Sequence, residues 1–304
     1  MGKIPLEETI GGAFKFFFVR ILSVLGTVWL PLLVTAALFA GMIWLVVPHD
    51  WWLGKFPVFD QKHPDPEAVL AIILPFLAVL PMMFVTMLVV DAMMSVGLLR
   101  LALGLKKRCF VFFSLGADVW RVVWTQVLVF LTLFAAEIAI VIFVLTAVGL
   151  GTLFKQHEGL WTTGIVIFTI AAICFAIYAM VRLFFFLPAT VVVNHKIAFA
   201  KSWRLGRGNF WRIVLISLVI GLAVSIAFGT VMDVTAASVL GTSAGDLGEH
   251  PTHAQALAFF HTFIRLVPMM FAIIALEWVA NTAIMAGAVG TAYKALTVKE
   301  EAAS

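Results

Sequence analysis

Five residues carry charged or hydrogen-bonding groups into runs that are otherwise apolar: Asp91, Glu137, Arg182, Glu277 and Asn281. Their chemistry would be that of an intramembrane polar site, where an acid can pair, take up a proton or bind a polar substrate. Glu137 and Glu277 fall near the middle of their runs. Asp91 and Arg182 fall toward one end, and Asn281 lies one helical turn beyond Glu277 on the same face. A charge at the bilayer centre costs about 2.5–3.5 kcal/mol on insertion scales. The two mid-depth acids are therefore expected to face the protein interior, to pair, or to stay protonated. Asp91 with Arg182, and Asp233 with Arg265, share a depth and are expected to pair. Such a set serves either as interhelical contacts that fix a bundle or as a polar path through it.

A second constellation is a line that occurs twice. Leu115-Gly116-Ala117-Asp118-Val119-Trp120-Arg121 returns, one residue longer, as Leu205-Gly206-Arg207-Gly208-Asn209-Phe210-Trp211-Arg212. Gly116, Gly206 and Gly208 suit a sharp bend, and Asp118 and Asn209 suit a helix cap. Trp120, Trp203 and Trp211 suit the headgroup level, while Arg121, Lys201, Arg204, Arg207 and Arg212 can reach anionic phosphates. These eight Trp, Arg and Lys residues are the candidate contacts for lipid or for a membrane-protein partner.

Other chemistry finds no support. There is no HExxH, P-loop, Rossmann fingerprint or GxSxG elbow, and no cofactor is expected. His49, His63, His157, His250, His253 and His261 gather on one side, and only His250 and His253 with Glu249 resemble part of a metal site. No metal is expected. Cys109 and Cys174 are not expected to pair. The basic segments are too short and too close to apolar runs for nucleic acid.

The elements that must position these groups follow from composition. The 304 residues are 63% hydrophobic and 12% charged, with 28 Phe, 10 Trp and a mean hydropathy of +1.11. Soluble proteins are roughly half apolar and about a quarter charged. An all-α polytopic membrane protein is therefore expected, with spans near 20–47, 69–98, 120–150, 160–188, 210–235 and 260–290. The clean alternation of a β-barrel is absent, and no cleaved signal is read. Pro31, Pro75 and Pro81 fall inside spans.

The connectors alternate in charge. One side carries Lys3, Lys15, Arg20, Arg100, Lys106, Lys107, Arg108 and Arg121, then Arg182, Lys196, Lys201, Arg204, Arg207, Arg212, Lys294 and Lys299. The other has only Lys55, Lys62 and Lys155, with Arg265 near a helix end. The positive-inside rule then puts both termini in the cytoplasm. Residues 196–207 read as a short amphipathic helix at the cytoplasmic interface, residues 7–19 as a weaker one, and 99–114 as basic but not cleanly divided. The chain becomes one membrane domain, 1–304, of three hairpins, 1–98, 99–190 and 191–304. Small residues from Ala283 to Gly290, and Gly221, Ala223 and Gly229, suit close helix approach.

The stretch from Leu187-Pro188-Ala189 through Ala200-Lys201-Ser202-Trp203-Arg204 to Phe210-Trp211-Arg212 resembles the signature of a bacterial membrane-domain family. That family includes the membrane domain attached to some glycerophosphoryl diester phosphodiesterases. The ending from Asn281-Thr282-Ala283 to Tyr293-Lys294-Ala295-Leu296 is similar too. The resemblance implies a bacterial inner-membrane location. It implies no hydrolysis, because the catalytic barrel and its residues have no counterpart. The expected function is a non-enzymatic, lipid-associated scaffold or partner of another membrane protein, with anionic headgroups at the cytoplasmic face. The alternatives are a permease-like component with a polar path near Glu137 and Glu277, and a lipid-modifying enzyme.

Overall fold

In a computed structural model, residues 2–46, 66–105, 115–151, 158–245 and 253–301 are described, and all regular structure among them is α-helical. The helices are α1 (Leu6–Val19), α2 (Ile21–Val46), α3 (Pro66–Ala102), α4 (Ala117–Gly151), α5 (Glu158–Phe184), α6 (Leu187–Asn194), α7 (Phe199–Gly206), α8 (Phe210–Gly245) and α9 (His253–Glu301). Six of them, α2, α3, α4, α5, α8 and α9, hold apolar stretches long enough to cross a membrane, the α5 stretch running on through α6. The protein is an all-α, multi-pass membrane protein.

The six expected spans are all present, but several helices overrun them. α3 begins at Pro66, α8 reaches Gly245 and α9 covers 49 residues. Backbone hydrogen bonding continues past the hydrophobic limit because no breaker intervenes. The fourth run departs in the other direction. It breaks at Phe185–Phe186 and restarts as α6 with Pro188 in its first turn, where a missing N–H costs nothing. α6 ends on His195, whose φ of 51° is left-handed. Pro31 and Pro268 lie inside helices without ending them.

α1 and α2 are separated only at Arg20. α7 is strongly amphipathic: Ser202, Leu205 and Gly206 are buried, while Trp203 and Arg204 are exposed. α2 packs on α3, α4 on α5, α8 on α9, and α1 lies along α9. In lipid, apolar burial alone does not hold helices together, so close packing has to. The small-residue stripe of α9 does this. A methyl at Gly287 would stand 3.1 Å from the Ala13 backbone, and one at Gly290 would stand 2.9 Å from the Ala102 side chain. The α8 glycines behave otherwise, since Gly221 and Gly229 face open space.

The core sits toward one end of the bundle. Ile4, Leu98, Leu101, Phe186, Ile213 and Ile216 are fully or almost fully buried there. The far halves of α4 and α5 present Phe134, Phe143, Phe168 and Phe175 to the surroundings. Lys106, Lys107, Arg108 and Cys109, and the loop histidines His49, His63, His157 and His250, lie outside the described residues.

Candidate functional site

Among the described residues, four polar assemblies stand out. The first surrounds Asp91. Its Oδ2 accepts from Gln126 Nε2 of α4 at 2.8 Å, and its Oδ1 accepts from Trp278 Nε1 of α9 at 3.2 Å. Gln126 Oε1 is buried without a hydrogen-bond partner among the described residues. Asp91 lines a cavity of 380 Å³ between α3, α5, α6, α8 and α9. Its polar lining is Asp91, Ser95, Ser217, Asn281 and Thr282, and its apolar walls include Met180, Phe184, Phe185, Ile213 and Met285. A cavity this size, apolar with a few convergent polar groups, has the character of a small-ligand site.

The second assembly centres on Arg182, which is 5% exposed. Its guanidinium lies 3.9 Å from the centroid of the Trp203 ring and 5.2 Å from that of Tyr178. Nη1 donates to the Tyr178 hydroxyl at 2.7 Å and Nη2 to the Trp203 carbonyl at 2.9 Å, while Nε has no partner among the described residues. Gly206 lets this joint close, because a methyl there would lie 2.9 Å from the Arg182 carbonyl. The expected Asp91–Arg182 pair does not form. Arg182 instead meets Tyr178 of its own helix and Trp203 of α7.

The third is a node on Asp118, 5% exposed. Its carboxylate accepts from Arg100 and Arg121, each at 2.7 Å, and lies 2.9 Å from His195 Nδ1. Asp118 therefore gathers α3, α4 and the end of α6; it is the second residue of α4, inside the helix, and so does not hold the cap position expected for it. His195 escapes the sequence reading, although it is the one histidine on the basic side.

The fourth is the later copy of the repeated line. Asn209 Oδ1 accepts from the Ile4 N–H at 3.0 Å, and Nδ2 donates to the Gly2 carbonyl at 3.3 Å and the Leu205 carbonyl at 3.4 Å. Arg212 Nη1 donates to the Ile4 carbonyl. The amide expected to cap α8 thus clamps residues 2–4 onto the corner. Gly208, at φ 76°, makes the bend. Gly206 serves close approach, and Gly116 is not among the left-handed residues.

Of the eight candidate lipid or partner contacts, Arg121, Lys201, Trp203 and Arg212 each touch other parts of the protein, Trp203 while remaining partly exposed. Lys201 donates to Asn194 Oδ1 at 3.2 Å and sits over the Tyr293 ring. Trp120, Arg204, Arg207 and Trp211 are exposed, Trp211 at 77%. Of the five intramembrane candidates, Asp91 and Asn281 share the cavity and Arg182 does not line it. Glu277 faces α8, where Ser225 Oγ lies 3.5 Å from its Oε1. Glu137 lies on an exposed face of α4, and no hydrogen bond or ion pair engages it among the described residues. Of the three expectations for it, neither an interior position nor a partner is seen among the described residues. The side chain of Arg265, the expected partner of Asp233, is outside the described residues, as are those of His253 and His261. Among the described residues no cluster of three metal-ligating side chains occurs. No family model matches the chain, and no curated protein or solved structure matches it.

Proposed function

We propose that the protein is a non-enzymatic, lipid-associated membrane scaffold or a partner of another membrane protein, held at the cytoplasmic face by anionic headgroups. In this reading the six spans form three hairpins, α1 and α7 lie at the interface and both termini are cytoplasmic. The family resemblance adds a bacterial inner membrane. One observation carries it. Lys3, Lys15, Lys196, Arg204 and Arg207 are exposed, and so are Trp120 and Trp211, the tryptophans of the two copies of the repeated line. A cation near an anionic leaflet contributes about 1 kcal/mol, and tryptophan favours the same depth.

The test is native mass spectrometry of retained lipid. The combined change of Lys196 and Arg207 to Gln, with Trp211→Leu, should lower retention of anionic lipid while thermal stability stays near wild type. Arg212 is left intact because it holds residue 4 in place. Unchanged retention would overturn the reading.

A permease-like component is the second reading, favoured by the cavity beside Asp91 and Asn281. Glu137 and Glu277 do not contribute to that cavity, so this version of the polar path rests on Asp91 instead.

A further inference from the structure

We propose that the cavity beside Asp91 binds an amphipathic amine, with its ammonium against the Asp91 carboxylate and its apolar body against the α5 wall. This does not rest on the lipid-anchoring reading, which concerns the exposed corners.

The argument is one of charge and shape. Among the described residues that line the cavity, Asp91 is the only ionisable one, and no Lys, Arg or His joins it. Both carboxylate oxygens accept a hydrogen bond, and both donors, Gln126 and Trp278, are neutral. Arg182, the cation at comparable depth, is committed to Tyr178 and Trp203. An anion withdrawn from water is costly unless a counter-charge or several donors reach it. Each oxygen keeps acceptor capacity beyond its one bond, and Ser95 and Asn281 open onto the same space. A primary ammonium brings three donors and the missing charge. An anionic head would meet Asp91 with nothing to offset it. The walls from Met180 to Phe185 accept an alkyl or aromatic body, and aromatic faces favour a nearby cation. The volume of 380 Å³ suits a compact ligand and not a whole diacyl lipid. The amine could belong to a small amphiphile or to a lipid headgroup reaching in.

The test uses the full chain in phosphatidylcholine nanodiscs, with empty discs subtracted. Radiolabelled octylamine, octanol and octanoate are titrated separately. Saturable octylamine binding is expected, at least tenfold tighter than octanol, with no saturable octanoate binding. Asp91→Asn should erase the preference for amine over alcohol. It should also fold, because the Trp278 bond survives and a flip of Gln126 offers its unpartnered Oε1 to the new amide. Ser217→Leu, which fills the cavity from α8, should remove binding of both ligands while Asp91 stays. Competition by added phosphatidylethanolamine would assign the amine to a headgroup, and its absence would assign it to a small amphiphile. Equal binding of amine and alcohol, or amine binding untouched by Asp91→Asn, overturns the proposal.

Discussion

Asn209→Ala isolates the contact between residues 2–4 and the α8 corner. Asn209 is 2% exposed and Ile4 is fully buried. The change removes the acceptor of the Ile4 N–H and the donor to the Gly2 and Leu205 carbonyls. The Arg212 bond to the Ile4 carbonyl remains, so only part of the clamp is lost. A buried N–H left without a partner costs about 1–3 kcal/mol. The two bonds to carbonyls are long, at 3.3 Å and 3.4 Å, and add little. A total near 2 kcal/mol follows, which is about a 30-fold rise in the undocked population by the rule that 1.4 kcal/mol is tenfold. Local opening need not unfold the bundle, so the readout is hydrogen exchange of the Ile4 and Thr9 amides in lipid nanodiscs. Exchange should quicken by about that factor at Ile4, while the buried amides of α3 and α9 keep their rates. An Ile4 amide exchanging as slowly as before would refute the reasoning, because the clamp would then hold without its acceptor.

Four other changes test separate joints. Gly206→Ala puts a methyl 2.9 Å from a backbone oxygen that cannot swing away, and should cost about 1–3 kcal/mol in thermal denaturation. Arg182→Lys keeps the charge but loses the flat stack on Trp203 and the two-pronged donation, so a loss of about 1–2 kcal/mol is expected, seen also as a shift in tryptophan fluorescence. Asp118→Asn leaves Arg100 and Arg121 facing a neutral group and should cost about 2 kcal/mol, since both arginines stay partly solvated; a double-mutant cycle with Arg100→Gln would return no coupling if the node is ornamental. Glu137→Leu should not lower stability, because nothing among the described residues engages that carboxyl and its burden at mid-depth is about 2.5–3.5 kcal/mol. A marked loss on chemical denaturation would reveal a contact for it.

Apolar length made the six spans readable, because twenty or more residues without a breaker have few other fates in a membrane. The bends near Gly208 and the packing of Ala283 to Gly290 were readable for the same local reason. Partnerships were not. Asp91 seeks a donor, and its own helix gives no sign that Gln126 and Trp278, 35 and 187 positions away, supply it. Depth alone suggested Arg182, but that side chain is taken by Tyr178 and Trp203, partners that its depth does not announce. Asn209 precedes α8 but its amide is taken by residues 2–4, while α4 starts one residue before Asp118, which puts that carboxylate inside the helix. His195 was overlooked because a single histidine among lysines and arginines looks like one more solvated base. Asp118 and Asn209 do hold equivalent places in the two copies, but the distant partners each gathers are 18 to 207 positions away and leave no local trace.

The clamp on residues 2–4 also has a consequence in time. Ile4 and its acceptor Asn209 are 205 positions apart. At about 5–20 residues per second, the ribosome delivers the acceptor roughly 10–40 s after Ile4 emerges. Until then the Ile4 N–H lacks its acceptor, and α1, which packs mainly on the still later α9, cannot complete its packing.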